Sequence, residues 1–398
     1  MNWKVKKELC FVVQRYGEEI AGGAEALCAS YVERLKDDYD ITVLTSCAKD
    51  YNTWKNAYPA GYETVGGVKI RRFSSLKERD PEESARLTLA VYGDPYHDLE
   101  LAARWLKSIG PDCPGITRFI RDHEERFDLF IFVGYLYYQT TFDLPLVPHK
   151  AVLIPTAHDE DAINHCNYFG TLFNIPAGII YLTGEERAFV QGRFSNGHVP
   201  SLVAGAGVVI PDLKAGGGGS GLPEGTYIVY IGRIDDTKDC SLLFRSFIEY
   251  KEMYKDDTKL VLVGERFMET PKRDDIVEAG FVSEEQKYEM LSRAKAMVLP
   301  SRAESLSIVT LEAMALGVPV LLRQSSAVLK GHVERSGAGL CFDDEAGFAR
   351  ALHTLLKDNA LAKKMGENGK EYIQKQCRWD IIMDGMKKFI EDVIRERT

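Results

Sequence analysis

Residues 299–320 read LPSRAESLSIVTLEAMALGVPV: the apolar end of a strand, a polar loop, a helix and the start of another strand. Ser307 stands where a helix N-cap is expected, Gly317 where a left-handed residue can end the helix, and Pro319 follows. A strand–loop–helix–strand passage of this kind is the building unit of a parallel sheet. The same alternation runs through the rest of the chain. Leu9 to Gln14, Ile41 to Thr45, Leu129 to Val133 and Ala151 to Pro155 are the expected strands of a first sheet. Tyr227 to Ile231, Lys259 to Val263, Ala296 to Leu299 and Val318 to Leu322 are those of a second. The expected fold class is therefore α/β, with two Rossmann-like parallel-sheet domains.

Between the two sets lies IPDLKAGGGGSGLPEG, residues 210–225, whose glycines and serine favour flexible coil over any regular element. The run Gly216 to Gly221 has the composition of a laboratory linker, with a natural Gly-rich hinge as the alternative. The expected domains are 1–209 and 226–376, followed by a last segment, 377–398. There Ile381, Ile382, Met386, Phe389, Ile390 and Val393 recur at helical spacing, as in an amphipathic helix from Trp379 to Arg397.

Composition narrows the function classes. With 398 residues, 45% hydrophobic and 27% charged, the chain has ample material for two cores and is not a disordered one. Fifty basic against fifty-nine acidic residues, a net charge of -9, argue against nucleic acid as a main partner. Eight scattered cysteines with no C-x-x-C pair are expected to be buried free thiols, not a zinc or redox site. The absence of a long apolar run and of an apolar signal core gives a cytoplasmic expectation.

The residues that could carry chemistry sit in loops at expected strand ends. Glu304 lies in the loop before the 299–320 helix and Glu312 lies inside it. The amides of Ser305, Leu306, Ser307 and Ile308 at the helix start suit an anion, while the two carboxylates can accept hydrogen bonds from sugar hydroxyls. In TYIVYIGRIDDTKDCSLLFRSF, residues 226–247, a strand leads into a turn bearing Arg233 and Lys238. Arg suits a bidentate grip on a diphosphate and Lys a point charge. Gly22 and Gly23 precede a helix expected from Ala24, where bare backbone could approach a phosphate. His158, Asp159 and Glu160 end the strand KAVLIPTAHDE, and Tyr135, Tyr137 and Tyr138 follow another strand. On the residues alone, a solvated turn is the readier account of Arg233 and Lys238 and a plain glycine turn that of Gly22 and Gly23, while a structural histidine and core-filling tyrosines stand level with the functional readings. His165 and Cys166 follow His158, but side-by-side ligands without a second cluster make a poor zinc site, and no metal is expected.

Taken together, the P-S-x-x-E and L-E-A-M-A-x-G-x-P-V pattern around Glu304 and Glu312, the G-R-x-x-x-x-K of Gly232, Arg233 and Lys238, and the G-G-x-E of Gly22, Gly23 and Glu25 resemble glycosyltransferase family 4. That family consists of retaining transferases of the GT-B fold, which have two Rossmann-like domains facing a central cleft and a carboxyl-terminal helix that crosses back onto the first domain. The resemblance implies that Glu304 meets the donor sugar and Glu312 the nucleotide ribose. Arg233, Lys238, Gly22 and Gly23 would hold the diphosphate, Glu25 would stand at the helix start, and His158 would face the sugar with Asp159 fixing its tautomer. By position, Arg266 and Phe281 resemble base-binding walls, and the three tyrosines would stack on an acceptor. One departure is Glu304-Ser305-Leu306-Ser307, where the family often has E-G-F-G.

The implied activity moves a sugar from a nucleoside diphosphate sugar, UDP-linked by default, to a hydroxyl acceptor with retention and without a metal or other cofactor. Cell-surface glycan or glycoconjugate synthesis is the expected setting. A lipid-linked acceptor would bring the protein to the inner face of the cytoplasmic membrane. Two other classes share such a site. A nucleotide-sugar epimerase would need a second carboxyl poised on the sugar ring, and a non-catalytic nucleotide-sugar binder would need no group beyond the diphosphate grip.

Overall fold

Leu9, Cys10, Phe11 and Val12 are all fully buried, as are Leu129 to Phe132 and Ala151 to Ile154. Runs with no polar alternation are what a parallel sheet covered on both faces requires. In the computed structural model, which describes residues 6–20, 22–211 and 224–396, they are the central strands of a first sheet. The strands are β1 (Glu8–Val12), β2 (Asp40–Ser46), β3 (Gly61–Val65), β4 (Val68–Phe73), β5 (Leu129–Val133), β6 (Ala151–Ile154), β7 (Gly178–Tyr181) and β8 (Ser201–Val203). Their order is β3-β4-β2-β1-β5-β6-β7-β8, parallel except for the β3–β4 hairpin.

A second sheet contains β9 (Tyr227–Ile231), β10 (Lys259–Val263), β11 (Ile276–Gly280), β12 (Met297–Leu299), β13 (Val320–Arg323) and β14 (Gly339–Phe342). It is ordered β11-β10-β9-β12-β13-β14, with parallel pairing throughout. The expected strands are present with trimmed ends. Gln14 and Pro155 fall beyond β1 and β6, Ala296 precedes β12, and Val318 and Pro319 precede β13. The strands β3, β4, β7, β8, β11 and β14 are additional to those expected, and three of them hide for physical reasons. β3 is an edge strand with exposed Glu63 and Thr64, β8 has only three residues, and β11 alternates a glutamate into a short run.

The chain divides into one unit of Met1–Gly205 with Ile382–Thr398 and another of Ala206–Ile381. The division falls before the expected 210–225 boundary because the Val208 amide donates to Cys377 and the Trp379 ring covers Gly207. Residues 212–223 of the expected linker, with the Gly216 to Gly221 run, lie outside the described residues. The final helix, Trp379–Arg395, buries Ile382, Met386, Ile390 and Val393, and Phe389 lies against Gly178 of β7. Ile381 is 53% exposed, a correction to the expected stripe, because it stands one residue, about 100° of helical turn, from buried Ile382. None of the eight cysteines is paired, and all but Cys341 are buried. Among the described residues no helix is long and apolar enough to cross a membrane.

The carboxyl ends of β9 and β10 nearly touch. Gly264 has φ +139°, and a Cβ added there would stand 2.0 Å from the Gly232 carbonyl oxygen. Only glycine permits this approach. Gly264→Ala is expected to cost about 1–3 kcal/mol, the usual range for forced overpacking, read as a lower melting temperature. Unchanged stability would show that the two backbones can part freely.

Candidate active site

In the second unit, the turn after β9 forms because Asp235 accepts the Lys238 amide at 3.0 Å, folding Asp236–Lys238 into one 3-10 turn. The Tyr230 hydroxyl donates to the Arg233 carbonyl at 2.5 Å and fixes the turn's entry. Arg233 is left partly exposed, with Thr237 at 3.1 Å and Asp235 at 3.5 Å. Lys238 reaches across 66 residues of sequence to Glu304, Nζ to Oε1 2.6 Å, with the carboxylate mostly shielded from solvent. A cation and an acceptor suited to a hydroxyl-bearing anion therefore lie side by side.

The loop carrying Glu304 is held from below. Buried His332 bonds the Leu306 carbonyl at 2.8 Å, so its Nε2 carries the proton. Ser307 occupies the N-cap of the helix Ile308–Leu316, but its side chain caps no amide, a correction to the simplest reading. It sits at φ +63°, ψ 74°, and its Oγ meets Thr310 Oγ1 at 2.8 Å. The helix ends as expected, with Gly317 at φ +76°. Leu306 is buried, and the helix proper begins at Ile308, beyond the Ser305–Ser307 loop.

Glu312 is buried inside that helix, where Oε1 accepts from Tyr288 at 2.7 Å and Lys287 at 3.0 Å. Burial, and then the Glu312 charge, push the Tyr288 phenol well above its ordinary value, keeping it a donor. Sequence reading missed both partners. The only signal was the start of their helix, Glu284–Arg293, where Ser283 and Gln286 form a capping box. Arg266 is half-exposed beside Glu278 at 3.6 Å, and Phe281 is 77% exposed. Neither is brought to the Glu304 and Glu312 carboxylates by any contact seen among the described residues.

In the first unit, Gly22 is the N-cap of the helix Gly23–Leu35. Glu25 does not present an open carboxylate there. It is buried against Arg15 at 2.6 Å, and the Arg15 side chain extends to the Lys49 carbonyl at 2.8 Å. A Cβ on Gly22 would collide with Glu25 Oε2 at 2.0 Å, whereas one on Gly23 would meet nothing within 4 Å. Gly22 thus serves the ion pair, and Gly23 leaves its surface open.

His158 has Glu160 at 3.5 Å, and this corrects the expected Asp159 partner, since Asp159 accepts from Asn164 instead. Burial raises the Glu160 carboxyl, but the His158 and Tyr135 contacts outweigh it and hold the group below its ordinary value. His165 stacks on Tyr92, and Cys166 is buried. The tyrosines correct an expectation as well. Tyr135 packs edge-on to Phe169, Tyr138 lies against Phe142, and both are buried in core instead of forming a stacking surface. Tyr137 is half-buried, edge-on to Trp54.

Beneath His158, Glu186 clamps two strand ends, Oε1 accepting the Ala157 amide and Oε2 the Leu182 amide, each at 2.6 Å. Its helix, Gly184–Phe194, is capped by Thr183, so Glu186 stands at the third position of a Thr-x-x-Glu box and reaches past the cap to the sheet.

Residues 220–372 match the family described as Glycosyl transferases group 1. Over 109 residues, 27% of this chain and 29% of the relative, the sequence is 33% identical to N-acetyl-alpha-D-glucosaminyl L-malate synthase of Bacillus anthracis. Over 166 residues, 42% of this chain and 36% of the relative, it is 26% identical to an alpha-1,3/1,6-mannosyltransferase of Dictyostelium discoideum. The matches span about a third of the length of these curated relatives. Among solved structures, sucrose-phosphate synthase from Thermosynechococcus elongatus superposes with a TM-score of 0.71 at 17% identity, covering 98% of this chain and 100% of that one. That likeness establishes the fold, GT-B.

Burial raises the Glu186 carboxyl from 4.5 to about 8, against the pull of the Leu182 and Ala157 amides. A carboxyl whose folded value is raised favours the folded state fully below its unfolded value, and this contribution is lost as pH climbs through the folded value. The melting temperature is expected to fall between pH 4.5 and about 8 by a component that Glu186→Gln removes. Identical pH profiles of melting in the two proteins would exclude this role.

Proposed function

We propose that the chain, whose residues 220–372 match the glycosyl transferases group 1 family and which has a GT-B fold, transfers a sugar from a nucleoside diphosphate sugar to a hydroxyl acceptor with retention at the anomeric carbon. The observation that carries this reading is the 2.6 Å approach of Lys238 to Glu304, with Arg233 on the same turn. A metal-free transfer needs cations for the departing diphosphate and an acceptor for the sugar hydroxyls, and these residues supply both.

In this mechanism Arg233 and Lys238 stabilise the charge that develops on the leaving diphosphate. Lys238 exchanges part of its contact with Glu304 for a phosphate oxygen as the donor arrives. Glu304 then accepts from the sugar hydroxyls, and Glu312 from the ribose. The diphosphate takes the acceptor's proton as the new bond forms on the face it leaves, so the bond to the anomeric carbon breaks and reforms on one side and no protein nucleophile is required. In the first unit, Gly22 and Gly23 are proposed as backbone contacts for phosphate. His158, steadied by Glu160, is proposed to bond a sugar hydroxyl. A uridine diphosphate sugar is the default donor and a glycan or lipid-linked hydroxyl the acceptor class.

The test is a melting-temperature screen with UDP, ADP and GDP, followed by product analysis with the matching sugar donors. One nucleotide is expected to raise the melting temperature, and the product is expected to keep the donor's anomeric configuration. No shift with any of the three, or an inverted product, would overturn the reading. Arg233→Ala is expected to lower turnover by about 100-fold, as loss of one charge-stabilising donor does in other enzymes. Undiminished turnover would remove Arg233 from the mechanism.

A further inference from the structure

Glu312 is held in an unusual way for a buried carboxylate. An oxygen that already accepts two donors has little capacity for a third, while the other oxygen of the same carboxylate keeps its lone pairs. Here the Tyr288 hydroxyl and the Lys287 ammonium converge on Oε1, and among the described residues no donor reaches Oε2. Lys287 is itself fixed from three sides. It meets Glu284 Oε2 at 2.8 Å, Glu312 Oε1 at 3.0 Å, and the Tyr288 ring, whose centroid lies 4.4 Å from Nζ. Its side chain is only 15% exposed, so the ammonium has little freedom to leave. Tyr288, buried, has its phenol held protonated, so it donates at any physiological pH.

We propose that Lys287 and Tyr288 are positioning residues that saturate one oxygen of Glu312 and so reserve the other for the hydroxyls of a ribose, making this pair the determinant of ribonucleotide over deoxyribonucleotide selection. The inference rests on Glu312 being the ribose contact of the proposed donor site. With Oε1 occupied by two donors, its lone pairs are used, and a diol must bond through Oε2. The carboxylate cannot rotate to offer a different edge without breaking two hydrogen bonds. A sugar lacking the 2′-hydroxyl would leave that aimed oxygen unsatisfied, which is the source of discrimination in sites built to bond a hydroxyl.

The experiment is calorimetric titration with whichever of UDP, ADP and GDP raises the melting temperature most, and with its 2′-deoxy counterpart. The proteins are the wild type, Lys287→Met, Tyr288→Phe and Glu312→Gln. The wild type is expected to prefer the ribonucleotide by about tenfold, equivalent to about 1.4 kcal/mol. Lys287→Met and Tyr288→Phe are each expected to weaken ribonucleotide binding several-fold while leaving the deoxyribonucleotide within about twofold, since only the aimed contact is lost. Tyr288→Phe keeps the ring and its packing, so it serves even if Lys287→Met folds poorly. Equal weakening of both nucleotides would mean that the pair supports the helix contact and nothing more, and the inference would fall. Preserved discrimination in both variants with its loss in Glu312→Gln would overturn the inference and leave the ribose reading intact. Glu312→Gln binding both nucleotides like the wild type would overturn the ribose reading itself.

Discussion

The closeness of two bare backbones, Gly232 and Gly264, governs the carboxyl edge of the second sheet. With no Cβ between them, β9 and β10 can run side by side to their last residues, where the Gly232 amide donates to the Val263 carbonyl and the Gly264 amide to the Gly280 carbonyl, each at 2.9 Å. The chain leaves β9 immediately afterwards at Arg233. A side chain at Gly264 would strike the Gly232 carbonyl and push the turn outward, and the placement of Lys238 against Glu304 depends on that turn. Open parallel sheets bind their ligands outside the carboxyl ends of the strands, where the loops leading into helices gather. What this protein adds is a tight lower boundary beneath those loops, set by glycine and by the buried ring of Tyr230.

Charge near the strand ends of each unit is handled in pairs. Lys238 with Glu304, Lys287 with Glu312 and, in the first unit, Arg15 with Glu25 each place one carboxylate that is largely withdrawn from solvent against one cation. Such pairs add little net stability, because desolvation consumes most of the Coulomb gain, yet breaking one leaves an exposed cost on the survivor. They fix direction more than they hold the fold together. Glu186 does the same without a cation, using two amides from neighbouring strand ends to set the backbone that presents His158.

Much of this was legible in the chain. Apolar runs with no alternation marked the central strands, and the Ser–Glu–Gly–Pro punctuation of 299–320 marked a strand, loop and helix. The pairing of Lys238 with Glu304 was not legible from spacing, since it joins residues far apart in sequence that only the β9–β12 adjacency brings together. Lys287, Tyr288 and His332 were missed because each lies on a helix whose own pattern is ordinary, and their meaning comes from the facing element. The tyrosines after β5 misled in the opposite sense. Three aromatics at a strand end suggest a stacking surface, but Phe169, Phe173 and Phe142 give the outer two a core to fill. Asp159 misled because its carboxylate accepts from Asn164, five residues on, while His158 meets Glu160.

Ser307 keeps a left-handed backbone that glycine would adopt without penalty and that a side chain opposes by about 1–2 kcal/mol. The loop between Glu304 and the helix is thus settled during folding, with His332 on the Leu306 carbonyl and Thr310 on the Ser307 hydroxyl holding it. A glycine in the same place would leave several conformations to be frozen out when a ligand arrived. With serine that choice is already made, so the loop is preorganised: whatever anion or sugar fits its one shape meets a site with little entropy left to lose, and whatever does not fit finds little room for accommodation.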